Sequence, residues 1–70
     1  MIEVFATNID TDRKAEKILS QIREVYPDYM ANFDLEDCDK ILRIETEQTM
    51  IDTKSIVQLV SEMNGEAWIL

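Results

Sequence analysis

The chain has 70 residues, room for one domain spanning residues 1–70, and a domain of that size buries only about 60% of the surface its unfolded chain exposes. Hydrophobic residues make up 46% of it and Gly and Pro occur once each, which argues against a disordered tail or a linker. Fifteen acidic residues against seven basic ones leave a net charge of −8, which repels nucleic-acid backbones and anionic membrane surfaces alike.

No apolar run approaches the roughly 20 residues of a membrane helix. The first ten residues, MIEVFATNID, are acidic and polar where a secretory signal would carry a positive flank and an apolar core, so a cytoplasmic protein is expected. Cys38 is the only cysteine and histidine is absent. That excludes an intrachain disulfide, a four-ligand His/Cys zinc site, and Ser-His-Asp or Cys-His catalytic pairs. The expectation is a domain that folds without a cofactor and is not an enzyme.

Residues 2–7 alternate with period two, as a strand with one buried face does, and the reading sets Ile2, Val4 and Ala6 against Glu3, Phe5 and Thr7. From Thr11 the period changes to that of a helix, with Ala15, Ile18, Leu19, Ile22, Val25 and Tyr26 on one stripe. Asp10, Thr11 and Asp12 can cap its start, and Pro27 ends it. Tyr29, Ala31, Phe33 and Leu35 then alternate with Met30, Asn32 and Asp34. Residues 36–39 supply turn chemistry, and Leu42 and Ile44 resume the inner face with Ile41, Arg43 and Glu45 outside, which reads as a hairpin. Asp52 or Thr53 can cap a second helix carrying Ile56, Leu59, Val60 and Met63 on its apolar face. Asn64-Gly65 offers a left-handed stop, and residues 66–70 form a closing strand.

The order βαββαβ is that of a ferredoxin-like α+β sandwich. Right-handed crossovers place both helices on one face of a four-stranded antiparallel sheet. At this length the pattern resembles the heavy-metal-associated domains of copper chaperones, which carry a Gly-Met-Thr-Cys-x-x-Cys loop between the first strand and first helix. The corresponding stretch here is Asn8-Ile9-Asp10-Thr11-Asp12-Arg13-Lys14. Ile9 stands at the family's buried methionine, and Thr11 and Lys14 stand at its two thiolates. Phe33-Asp34-Leu35-Glu36 is similar to the end of the family's second strand, and Gly65-Glu66-Ala67 with Ile69-Leu70 to its last strand. The resemblance implies the fold, but not copper or zinc transport, because a hydroxyl and an ammonium do not replace two soft thiolates.

Four features compete for a functional role. Cys38, between Asp37 and Asp39 near the hairpin tip, reads as an exposed turn residue; oxidation could still cross-link two chains through it. Asp34, Glu36, Asp37 and Asp39 could attract Ca²⁺ or Mg²⁺, making the chain a hard-cation or small-ligand carrier, yet they lack the ligand spacing of an EF-hand. Arg13, Lys14, Lys17 and Arg23 gather four of the seven positive charges on the first helix, a docking face for an acidic partner. Thr53-Lys54-Ser55-Ile56 does not match the Asp-Ser-Leu attachment motif of acyl carriers.

The fourth feature is the sheet face turned away from the helices. Alternation directs Phe5, Met30, Ile41 and Trp68 to it, although a slip of one residue in the closing strand would return Trp68 to the core. A two-layer domain ordinarily keeps that face polar. The expectation is a noncatalytic interaction module that binds a protein, either a second copy or a different partner, through Phe5, Met30, Ile41 and Trp68.

Overall fold

A computed structural model describes residues 1–70. Its elements run β1 (Ile2–Thr7), α1 (Asp12–Val25), β2 (Met30–Asp34), β3 (Ile41–Glu45), α2 (Thr53–Glu62) and β4 (Ala67–Ile69). The strands form one sheet in the order β2-β3-β1-β4, every adjacent pair antiparallel. β1 and β3 therefore lie at the centre, and each crossover helix spans one intervening strand, giving the ferredoxin-like α+β fold with both helices packed on the same side.

Each helix starts where a side-chain oxygen can take up a free backbone N–H. The Thr11 hydroxyl accepts from Lys14 N at 3.2 Å ahead of α1, and Asp52 Oδ1 accepts from Ser55 N at 3.1 Å ahead of α2. α1 buries Ala15, Ile18, Leu19 and Ile22, and α2 buries Ile56, Leu59 and Val60. Val25, read as part of the α1 stripe, is half exposed at the helix end. Tyr26 stacks on Tyr29 with ring centroids 4.7 Å apart, and the Tyr29 hydroxyl accepts from Asp52 N at 3.0 Å. That bond ties the start of β2 to the start of α2.

The central correction concerns β1. Phe5 is completely buried, opposite Leu42 on one side and Ile69 on the other, and it belongs to the core with Leu42, Ile44, Ile18, Ile22, Ile56 and Val60. Directly opposed residues of an antiparallel pair share a face, so Glu3, Phe5 and Thr7 point towards the helices and Ile2, Val4 and Ala6 point away. Two effects reverse the reading from the pattern. The ring of Phe5 fills far more of the space beneath the helices than Val or Ala would. Thr7, which makes that set look polar, has its hydroxyl satisfied inside: Oγ1 donates to Lys40 O at 2.6 Å and accepts from Ile9 N at 3.1 Å.

The left-handed stop expected of Asn64-Gly65 at the end of α2 falls on Asn64. Asn64 takes the left-handed conformation (φ 65°), while the φ of Gly65 is not positive. Gly65 is required for space: a Cβ there would lie 2.7 Å from Ile9 Cδ1 and 2.9 Å from Val60 Cγ1, both in fully packed side chains. Gly65→Ala is therefore expected to cost about 1–3 kcal/mol through overpacking, whereas Asn64→Gly leaves stability nearly unchanged. Thermal melts of the two variants side by side check both expectations.

Candidate protein interaction surface

The loop between β1 and α1 is pinned by hydrogen bonds to the start of β4. Asn8 N–H donates to Glu66 O, and Asn8 Oδ1 accepts from Glu66 N at 2.8 Å, latching the loop onto the start of β4. Ile9 is buried in the core. The Thr11 hydroxyl is committed to the α1 cap, and Lys14 is exposed. A hydroxyl and an ammonium on the first turn of a helix offer no soft ligand, so these residues do not fit monovalent copper or thiolate-bound zinc.

At the hairpin tip, ligand atoms of Asp37, Cys38 and Asp39 lie within 4.8 Å of one another, all exposed. The turn accounts for this closeness. Asp34 Oδ1 accepts from Glu36 N at 3.2 Å and Asp37 Oδ1 from Asp39 N at 2.9 Å, the local side-chain to backbone bonds with which Asp shapes turns. Lys40 sits in the left-handed region (φ 48°), its ammonium donating to Leu35 O at 3.2 Å. Arg13, Lys14, Lys17 and Arg23 lie along the exposed side of α1, interleaved with Asp12, Glu16 and Glu24.

Asp52 has its carboxyl held below the usual carboxylate range, first by the Ser55 hydroxyl, which donates to Oδ2 at 2.7 Å, then by Ser55 N, with Lys54 adding a smaller attraction. A depressed folded value means that the stabilisation is complete above the unfolded carboxylate value of about 4 and is lost as pH falls through the folded one. Asp52→Asn keeps an oxygen for the cap but removes the charge. The variant should melt below the wild type at neutral pH, and the gap should close in acid. A gap that is constant with pH would show that the charge contributes nothing.

The sheet face opposite the helices is where apolar side chains collect. Across the strands it runs from Trp68 to its partner Ala6 and on to Ile41, which the β1–β3 register sets beside Ala6, and ends at Asp34 on β2. The next row holds Val4, Arg43 and Asn32, and the third Ile2, Glu45 and Met30. Leu70 N–H donates to Val4 O at 3.1 Å, placing Leu70 two residues beyond Trp68 on the same side. Trp68 is 51% exposed, Met30 61% and Leu70 62%, with Ile2 half exposed and Ile41 and Val4 partly so.

Of the four residues expected on this face, Met30, Ile41 and Trp68 lie on it and Phe5 does not. Met30 is separated from the others, beyond Glu45 on the outer strand β2. Pattern reading missed Ile2, Val4, Ala6 and Leu70. Reversing the β1 phase to bury the larger Phe5 would have found the first three, and carrying the alternation two residues past Trp68 would have found Leu70. Searches of family models, of curated proteins and of solved structures returned no significant match to this chain. No helix is long and apolar enough to cross a membrane.

Proposed function

We propose that the protein is a noncatalytic interaction module that docks a protein through its open sheet face, and that it is a divergent relative of heavy-metal-associated domains with a helix cap where the thiolates would stand. One observation carries this reading: Trp68, Ile41, Val4, Ile2 and Leu70 adjoin around the buried Ala6 on a sheet face that neither helix covers. Contiguous exposed apolar surface of this kind marks an association site more often than isolated apolar residues do, and Trp is a favoured anchor in such sites. The hairpin carboxylates Asp34 and Asp37 serve the turn. The exposed, unpaired Cys38 suits a reducing compartment such as the cytoplasm.

The test is quantitative co-purification with the wild type and with a Trp68→Ser, Ile41→Ser double variant. Both positions are on the open face, so the variant should keep its melting temperature, and it should lose a partner that the wild type retains in stoichiometric amount. Equal retention by both proteins would remove the open face as the docking surface.

A further inference from the structure

The charge of the molecule is distributed unevenly along the chain. α1 holds four basic residues against three acidic ones, whereas the rest of the chain holds three basic residues against twelve acidic. Within residues 28–47, which build β2, β3 and the turns at their ends, seven carboxylates face only Lys40 and Arg43, a net charge of −5. Both of those cations are engaged locally. Arg43 forms the molecule's one ion pair, with Glu45 at 3.7 Å, and Lys40 is bonded to Leu35 O.

The remaining carboxylates lie at both ends of the open face. Asp34 shares the face with Ile41 at the hairpin end. At the other end Asp28 and Glu47 line a depression together with Met30. Five-residue strands set these two ends about 17 Å apart. The result is an apolar patch on the β1 and β4 side of the face, bordered by the Arg43–Glu45 pair and Asn32, with net negative charge at both ends.

Resting on the reading of this face as a docking surface, we propose that its occupant is a cationic protein surface, apolar in the middle and flanked by Lys or Arg. Charge complementarity at an interface rim sets partner choice and speeds encounter. A second copy fits poorly, because it would bring the same carboxylate-bearing ends against this one.

Trp68, the only tryptophan, reports occupancy of the face directly. The probes are three designed peptides of equal length: an amphipathic Leu/Lys peptide, its Leu/Glu counterpart and a lysine-only peptide. The Leu/Lys peptide should shift Trp68 emission to the blue, and its affinity should fall at least about tenfold from low to near-molar salt as screening shortens the reach of the charges. The other two should bind at least about tenfold more weakly, one lacking charge complementarity and the other lacking apolar contact. Asp34→Asn with Glu47→Gln should weaken the Leu/Lys peptide, and Glu24→Gln with Glu62→Gln, on the helices, should not.

Three results would overturn the inference: equal binding of the Leu/Glu peptide, equal weakening by the helix pair of substitutions, or an emission shift produced by raising protein concentration alone, which would identify a second copy. Failure of the Leu/Lys peptide alongside a co-purified partner that the double variant loses would refute the cationic occupant and leave the docking face standing.

Discussion

Phe5→Ala should remove a large share of the protein's folding stability, while Val4→Ala, one residue earlier, should cost little. Phe5 is fully buried between Leu42 and Ile69 beneath the helices, and truncating a buried Phe costs about 3–5 kcal/mol. A 70-residue domain has a total stability of only about 3.5–10 kcal/mol at typical values per residue. Val4 is partly exposed on the open face beside Arg43, so its truncation forfeits part of a surface contact. Urea titration of both variants measures the contrast. Similar midpoints for the two would mean that β1 packs in the opposite phase, with Ile2, Val4 and Ala6 inside.

Thr7→Val should destabilise by about 2–4 kcal/mol although the two side chains have nearly the same shape, because burying a polar group without its partner costs about 1–3 kcal/mol and two groups lose theirs, the Lys40 carbonyl at the lower end because it is only part-buried. The hydroxyl joins three parts of the chain: β1 itself, the hairpin end through Lys40 O, and the loop through Ile9 N. Replacing it with a methyl leaves a buried N–H and a carbonyl short of partners. Thr7→Ser restores the hydroxyl and should recover most of the loss. If valine were tolerated as well as serine, water would have to reach the Ile9 N–H, and the loop would not be sealed as described.

Much of the fold was legible because its signals were local. The change from period two to period 3.6 after Thr11, the caps at Thr11 and Asp52, and Asn64-Gly65 after the second apolar stripe each depend on a few neighbouring residues. The phase of β1 was not legible, since alternating residues were apolar on both sides and only pairing with β3 and β4 shows which set meets the helices. Thr7 looked polar and therefore external, and nothing local shows that Lys40 O and Ile9 N will satisfy it. Met30, Ile41 and Trp68 were placed from alternation within single strands, which needs no tertiary information. Gathering Val4, Ala6, Ile41 and Trp68 into one surface required the sheet order β2-β3-β1-β4.

The loop between β1 and α1 lacks thiolates and is committed to structure, with Asn8 latched to Glu66, Ile9 in the core and Thr11 at the cap. With that loop committed, the surface opposite the helices is the proposed docking site. The groove between α1 and α2, about 380 Å³ and lined in part by Val25, Leu59 and Met63, is the rival location.

Methyl and indole NMR of the chain titrated with its co-purified partner separates the two sites. The account predicts shifts at the Trp68 indole and at the methyl groups of Val4, Ile41 and Leu70, with Val25, Leu59 and Met63 unmoved. Shifts confined to Val25, Leu59 and Met63 would contradict it and place the partner on the helices.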